Sequence, residues 1–142
     1  MSSIVIPAAL RIEVIERDLF CCEYCLLPEN ASFYSHEIDH IVAVKHGGLT
    51  ILQNLAYACW RCNRHKGTDL ASLDPETLQI VLLYHPRNDR WDEHFRWNHG
   101  RLWGISPTGN ATAELLQFNR PDRLGERIRV ANVIRNIHGI TE

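Results

Sequence analysis

Residues 59–67 read CWRCNRHKG, and this stretch decides how the rest of the chain is interpreted. Its two cysteines, Cys59 and Cys62, form a Cys-x-x-Cys knuckle. The segment CEYC at residues 22–25 repeats that spacing with Cys22 and Cys25. Each knuckle can present two thiolates to a tetrahedral Zn²⁺, so the two knuckles together supply four ligands. We therefore expect one structural zinc ion bound by these four cysteines.

The interval between the two knuckles is longer than the about 15–20 residues of a plain zinc ribbon. This length predicts an inserted segment with a function of its own. Two alternatives to zinc stay open: the cysteines can be small core residues, or one pair can be redox-active. Zinc is favoured because disulfides are rare in a reducing compartment. A fifth cysteine, Cys21, can replace Cys22 as a ligand, but the spacing favours Cys22, and we assign Cys21 to packing.

Four polar residues in and just after this insert suit phosphodiester hydrolysis: Asp39, His40, Asn54 and Asn63. A carboxylate and an amide oxygen are hard ligands for Mg²⁺ or Mn²⁺. A neutral imidazole can take a proton from an attacking water near physiological pH. One difficulty is that strand alternation sends Asp39 and His40 to opposite faces. Both can face one site only if the strand ends there and the chain bends.

The joint spacing of these motifs resembles the HNH endonuclease family over roughly residues 10 to 70. It rests on several short segments taken together: Cys22-x-x-Cys25, Ile38-Asp39-His40-Ile41, Gly47-Gly48, Asn54-Leu55 and Cys59-x-x-Cys62-Asn63-x-x-Lys66-Gly67. Two positions depart from the family pattern. Asn63 stands where the last His of the family name is found, although Asn is common there in the cysteine-bearing branch, and Ala43 stands where Pro is frequent.

The resemblance implies a ββα-metal core of two antiparallel strands and a helix around one catalytic metal, Mg²⁺ or Mn²⁺. Asp39 and Asn63 would hold that metal, His40 would be the general base, and Asn54 would tie down the loop between the strands. The basic residues expected to meet backbone phosphates are Arg61, Arg64 and Lys66. The family cuts or nicks DNA, leaving a 5′-phosphate and a 3′-hydroxyl. The alternatives are a non-catalytic zinc module that grips nucleic acid or a protein and, less well supported, a redox or metal-storage protein.

The fold class that we expect is α+β: a small ββα-metal core stapled by zinc, with an N-terminal helix and a C-terminal α/β extension. Residues 1–142 would form a single domain, with the nuclease core at 10–70 and an extension of uncertain role at 71–142. Apolar periodicity and turn residues predict the individual elements. They are helices at 7–19 and 62–67, strands at 33–39 and 55–58, a helix from Asp74-Pro75 toward Leu83, a turn at 107–110 and a terminal amphipathic helix at 124–137.

The composition is that of a globular protein, with 45% hydrophobic residues and a net charge of -2. No overall positive field points to nucleic acid, so DNA would have to be met by local basic clusters or a bound cation. The start of the chain, Met1–Ile6, has no features of a signal peptide, and we expect a cytoplasmic protein that does not enter a membrane. A homodimer is one way to cut both strands, but no dimer surface is identifiable.

We interpret the basic and aromatic residues in the second half of the chain first as structural residues and only second as DNA contacts. Arginines alternate with Trp91, Phe95, Trp97 and Trp103, and packing of these aromatic residues in a core is favoured over DNA binding. Arg123, Arg127 and Arg135 are interpreted first as a solvated helix face and only second as contacts to a DNA backbone.

Overall fold

The computed structural model of the protein describes residues 5–142, so most of the segment Met1–Ile6 lies outside the described residues. The first helix, α1 (Ala8–Arg17), begins one residue later than predicted, since Pro7 is its N-cap, and it buries Val14. It ends two residues before the predicted end because Leu19 and Phe20 adopt positive φ angles of 57° and 59°. Such left-handed backbone cannot continue a right-handed helix.

The predicted ββα unit consists of two strands that lie between the knuckles and a helix that begins inside the second knuckle. Strand β1 (Glu37–His40) pairs antiparallel with β2 (Leu55–Ala58), and helix α2 (Trp60–Lys66) follows directly. Strand β2 is buried along its whole length. Strand β1 begins four residues later than predicted because a short 3₁₀ turn at Glu29–Ala31 and irregular backbone precede it. The mixed α+β class and the small ββα core are therefore confirmed.

The loop from residue 41 to residue 54 folds closely back on β1. It contains two 3₁₀ turns, Val44–His46 and Leu52–Asn54. A Cβ atom at Gly48 would lie 1.7 Å from the carbonyl oxygen of Val42, a distance that no side chain can occupy. Glycine is required at this position because the loop backbone passes against the backbone after β1.

The helix predicted to open at Asp74-Pro75 is wrong, and a β-hairpin stands in its place. Strands β3 (Ala71–Leu73) and β4 (Ile80–Leu82) pair antiparallel around this segment. The Asp74 carboxylate accepts hydrogen bonds from the Glu76 amide at 2.9 Å and the Thr77 hydroxyl at 3.0 Å. Aspartate closes tight turns with the same side-chain bonds that it uses to cap a helix, which explains the error.

The remaining elements alternate between helices and one more hairpin. They are α3 (Trp91–His94), β5 (Phe95–Asn98), β6 (Arg101–Gly104), α4 (Pro107–Leu115), α5 (Pro121–Arg129) and α6 (Ala131–His138). The turn predicted at 107–110 is wrong, since Pro107 is the first residue of α4 and the Ser106 hydroxyl accepts the Gly109 amide at 2.9 Å. The predicted terminal helix is divided into α5 and α6 at Val130.

One large core joins the knuckles to the C-terminal extension. It contains the four knuckle cysteines together with Phe95, Trp97, Phe118 and Ile134. The prediction that the aromatic residues of this region pack in a core is confirmed for Phe95 and Trp97, whereas Trp103 is about half exposed. Across residues 5–142, no helix combines the length and the apolar character that crossing a membrane requires.

Candidate zinc site and catalytic site

The four knuckle cysteines converge in the interior. One sulfur atom from each of Cys22, Cys25, Cys59 and Cys62 lies within 4.8 Å of the other three, and all four residues are buried. The Sγ atoms of Cys25 and Cys59 are 3.7 Å apart. A tetrahedral zinc with Zn–S bonds of about 2.3 Å requires sulfurs about 3.8 Å apart. The cluster therefore fits a structural zinc, as the sequence predicts.

Backbone amides shape each knuckle around its first sulfur. The Cys25 amide donates to Cys22 Sγ at 3.4 Å, and the Cys62 amide donates to Cys59 Sγ at the same distance. Cys59 is also the N-cap of α2, so the second knuckle fixes where that helix begins. Cys21 Sγ instead faces the carbonyl of Leu19 at 3.3 Å. The choice of Cys22 over Cys21 as a cluster member is correct.

Arg123 is the largest departure from the sequence interpretation. It was expected on a solvated face of α5, yet it is only 2% exposed, and its Nη2 donates to Cys62 Sγ at 3.0 Å and Cys59 Sγ at 3.4 Å. Arg127 is also buried and donates to the carbonyls of Gly100 and Phe118, so the solvated face is wrong for both residues. Four thiolates around one Zn²⁺ carry a net charge of about -2. Arg123 supplies positive charge beside them.

Asp39 lies beneath the surface of the ββα unit, with only 4% of its area exposed. The Tyr24 hydroxyl donates to its Oδ2 at 2.8 Å, and Lys66 Nζ lies 3.1 Å from the same oxygen. Burial raises the pKa of Asp39, while the charge of Lys66 and the Tyr24 bond partly offset that effect. Lys66, expected at the phosphate backbone, is itself 3% exposed and lies inside the protein as the counter-ion of Asp39.

Asn63 stands on α2 beside β1, where its Nδ2 donates to Glu37 Oε1 at 2.8 Å. Its amide oxygen remains a hard acceptor at this edge. Sequence reasoning missed Glu37, although its separation from Asp39 by two residues places both carboxylates on one face of a strand. The chemistry of Asp39, Asn63 and Glu37 suits a divalent cation. A carboxylate has about four lone-pair sites, so Asp39 retains acceptor capacity, but a cation there competes with the Lys66 ammonium.

His40 is the last residue of β1 and is partly exposed. Its Nε2 lies 2.9 Å from the Thr50 hydroxyl, which belongs to the loop that follows the strand. This bond orients the ring and leaves Nδ1 for another contact. Thr50 was also missed, because nothing in the sequence indicates which loop residue returns to β1.

Asn54 holds the loop that returns to β1. Its Oδ1 accepts the Val42 amide, and its Nδ2 donates to the carbonyls of Val42 and Leu49, each at 2.9 Å. Three bonds from one side chain fasten both sides of the loop. Asn54 therefore supports the backbone next to His40 rather than contributing a group to the surface.

The two arginines of α2 differ in their surroundings. Arg61 is paired with Glu126 at 3.0 Å and Asp122 at 3.2 Å. Arg64 is exposed, and its guanidinium lies 5.6 Å from the ring centroid of Trp60. Within residues 5–142, no carboxylate forms an ion pair with Arg64, so its charge faces solvent.

Comparison with protein families matches residues 22–69 to the family model described as HNH endonuclease. The matched segment begins at the first knuckle and ends after α2, so it covers both cysteine pairs and the ββα unit. No curated protein and no solved structure matches the chain.

Proposed function

We propose that the protein is a metal-dependent DNA endonuclease, because residues 22–69 match the HNH endonuclease family model, which implies a nuclease. The observation that carries the proposal is that Asp39 and His40 end β1, while Asn63 on α2 contacts the same strand through its hydrogen bond to Glu37. A buried carboxylate and a partly exposed imidazole are thus neighbouring residues at the end of one strand. The buried cysteine cluster lies outside this chemistry and fixes the start of α2.

In the proposed reaction, His40 accepts the proton of the water that attacks the phosphorus atom. Thr50 holds the ring through Nε2, and Asn54 holds the loop that carries Thr50. As the new P–O bond forms, the P–O3′ bond breaks, and the 3′-oxygen takes a proton from solvent. The products are a 5′-phosphate and a 3′-hydroxyl.

The divalent metal, Mg²⁺ or Mn²⁺, would be held by Asp39 and Asn63, with Glu37 as a neighbouring oxygen donor. When bound, it supplies positive charge that stabilises the phosphate and the departing oxygen. Lys66 forms an ion pair with Asp39, and its charge offsets part of the rise that burial causes in the pKa of Asp39. Arg64 would contact backbone phosphates, and Arg61 would do so in competition with its partners Glu126 and Asp122.

Plasmid nicking tests this proposal. The zinc-loaded protein should convert supercoiled DNA to nicked DNA with Mg²⁺ or Mn²⁺, and His40→Ala should lower the rate by about 100-fold or more, the contribution of a general base. His99→Ala is the matched control, because His99 is exposed and lies on the β5–β6 turn. Equal cutting by His40→Ala and the wild type, or no cutting by the wild type with either metal, would refute the mechanism.

One observation favours a second candidate, a non-catalytic zinc module that binds nucleic acid or a protein. The burial of Asp39 under Lys66 and Tyr24 is the arrangement expected of a structural carboxylate. That candidate predicts DNA binding without cleavage in any metal, whereas the endonuclease predicts metal-dependent nicking of the same DNA.

A further inference from the structure

Three aromatic side chains form a row on the surface beside α2. The rings of Phe33 and Tyr34 meet edge to face with centroids 4.8 Å apart, and Tyr34 meets Trp60 in the same way at 5.0 Å. We refer to Phe33, Tyr34 and Trp60 as the aromatic row. Each contact lies in the separation range that aromatic pairs prefer, so the row is an ordered surface.

Core packing does not account for the aromatic row. Phe33 is 83% exposed and Tyr34 is 54% exposed, so both rings keep most of their area in water. Among residues 5–142, other exposed aromatic residues, such as Phe20, form no comparable row with neighbouring rings. Exposed apolar area that is arranged contiguously indicates a binding surface rather than stabilisation of the fold.

Two arginines border the row at Trp60: Arg61, which is paired with Glu126 and Asp122, and Arg64, whose charge faces solvent. The guanidiniums of Arg61 and Arg64 lie 5.0 Å and 5.6 Å from the Trp60 ring centroid. A pocket of about 260 Å³ next to them is lined by Trp60, Arg61, Arg64, His65, Arg120 and Asp122. In a chain with a net charge of -2, this basic pocket is a local feature that suits an anionic ligand.

The row and the pocket adjoin the proposed catalytic site. Trp60 and Asn63 are three residues apart on α2, which places their Cβ atoms about 5–6 Å apart. Phe33 and Tyr34 lie just before β1, the strand that carries Asp39 and His40. A ligand bound along the row would therefore reach Asn63 within a few ångströms of Trp60.

We propose that the aromatic row and the basic pocket bind DNA with unpaired bases, so that the preferred substrate contains a single-stranded segment. This proposal rests on the endonuclease function and specifies its substrate class. In a perfect duplex, both faces of each base are covered by its neighbours, whereas an unpaired base can stack on an exposed ring. Phosphates of the same strand would lie against Arg64 and the basic pocket. The combination of ring faces and cations distinguishes this surface from a purely apolar protein contact.

The experiment measures equilibrium binding to the zinc-loaded protein by fluorescence anisotropy without Mg²⁺ or Mn²⁺, so that no cutting occurs. The probes are a labelled single strand, a perfect duplex, and a duplex with a single-stranded arm, all of the same sequence. The variants are Phe33→Leu, which keeps an apolar side chain but removes the ring face, Phe33→Trp, which restores a ring, and Arg64→Gln. Phe20→Leu is the control, since Phe20 is a similarly exposed phenylalanine outside the row.

We expect the wild type to bind the single strand and the armed duplex at least about 10-fold more tightly than the perfect duplex. Phe33→Leu should remove about 10-fold of that affinity, which corresponds to about 1.4 kcal/mol, within the range of base stacking on an aromatic ring. Phe33→Trp should restore it, and Phe20→Leu should have no effect. Arg64→Gln should lower the slope of binding against salt by about one.

Equal affinity for the single strand and the perfect duplex would overturn the proposal, as would unchanged single-strand binding by Phe33→Leu. A change in sedimentation by Phe33→Leu without any change in DNA affinity would identify the row as a protein contact instead. Because these assays contain no Mg²⁺ or Mn²⁺, they are independent of nicking. Loss of nicking with intact selective binding would refute the proposed cleavage mechanism and leave the binding proposal standing.

Discussion

The buried pair of Asp39 and Lys66 allows a quantitative test of how the candidate site is built. Lys66→Met removes the ammonium and keeps a side chain of similar length. The change leaves the Asp39 carboxylate buried, with Tyr24 as its remaining side-chain partner. Asp39→Asn produces the converse state, a buried ammonium without its carboxylate. The double variant removes both charges.

The expected losses follow from the geometry of the pair. At the 3.1 Å separation of Lys66 Nζ and Asp39 Oδ2, two unit charges attract by about 5 kcal/mol at an effective dielectric constant of about 20. Removing one partner of a buried ion pair costs about 3–5 kcal/mol because the other charge stays buried without compensation. Total stabilities of domains are about 5–15 kcal/mol, so either single variant loses a large share of the folding free energy. The double variant should lie closer to the wild type than either single variant does.

Urea unfolding followed by tryptophan fluorescence measures these differences, with zinc in excess so that metal loss does not add a second transition. Lys45→Met is the matched control, since Lys45 is an exposed lysine on the loop, and it should change stability by less than about 0.5 kcal/mol. Adding Mg²⁺ should recover part of the loss in Lys66→Met, where a cation can replace the ammonium, and none in the double variant.

Two results would refute this reasoning. One is a Lys66→Met variant as stable as Lys45→Met, which would mean that Asp39 is solvated or neutral when alone. The other is a double variant whose loss equals the sum of the two single losses, since independent sites add and coupled sites do not. If Mg²⁺ does not restore any stability to Lys66→Met, the ion pair still explains the stability of the wild type. That result would, however, contradict Asp39 as a metal ligand.

Three further predictions concern the zinc cluster and one buried histidine. Cys59→Ser should bind less than one zinc per chain by atomic absorption and melt at a lower temperature, because it removes one of the four thiolate ligands. A zinc-free variant with unchanged melting would contradict the structural metal. Arg123→Met should release zinc to a chelator faster than the wild type, because Arg123 donates to two cluster sulfurs. Arg129→Met is the control, since Arg129 is an exposed arginine on the same helix. Equal release rates in the two variants would contradict this role. Burial lowers the pKa of His138 from 6.5, so its contribution to stability is present above pH 6.5 and is lost as the pH falls below it. His138→Gln should therefore flatten the fall in unfolding free energy below pH 6.5. Parallel curves of unfolding free energy against pH for the variant and the wild type would contradict this prediction.

The sequence predicts best those parts of the fold where local spacing and residue type indicate the same structure. The knuckles, β2 and the loop fastened by Asn54 depend on local spacing and on residue types with few alternative uses. The predicted structural role for Phe95 and Trp97 also follows from residue type, because large apolar rings are buried when a core is available.

The failures arise where one residue type serves two structures or where packing reverses a pattern. Asp74-Pro75 starts helices and turns alike, and only the pairing of β3 with β4 decides between them. In α5, Arg127 is 1% exposed while Ile128 is 53% exposed, the reverse of an ordinary amphipathic helix. The reversal occurs because the buried face meets sulfurs and free carbonyl groups, which require donors rather than methyl groups. Periodicity alone does not reveal what the opposite surface needs.

The contacts of the C-terminal extension also bear on how the nuclease segment folds. Arg123 reaches the sulfurs of the second knuckle, and Trp91 Nε1 donates to the Tyr24 carbonyl at 3.0 Å in the first. Tyr24 in turn donates to Asp39. The extension therefore contacts both knuckles directly, and it is linked to Asp39, the candidate metal ligand, through Tyr24. A domain of about 60 residues buries only about 60% of the surface that its unfolded chain exposes. We therefore expect residues 71–142 to supply core that the ββα unit lacks, and the two parts to unfold in one cooperative step.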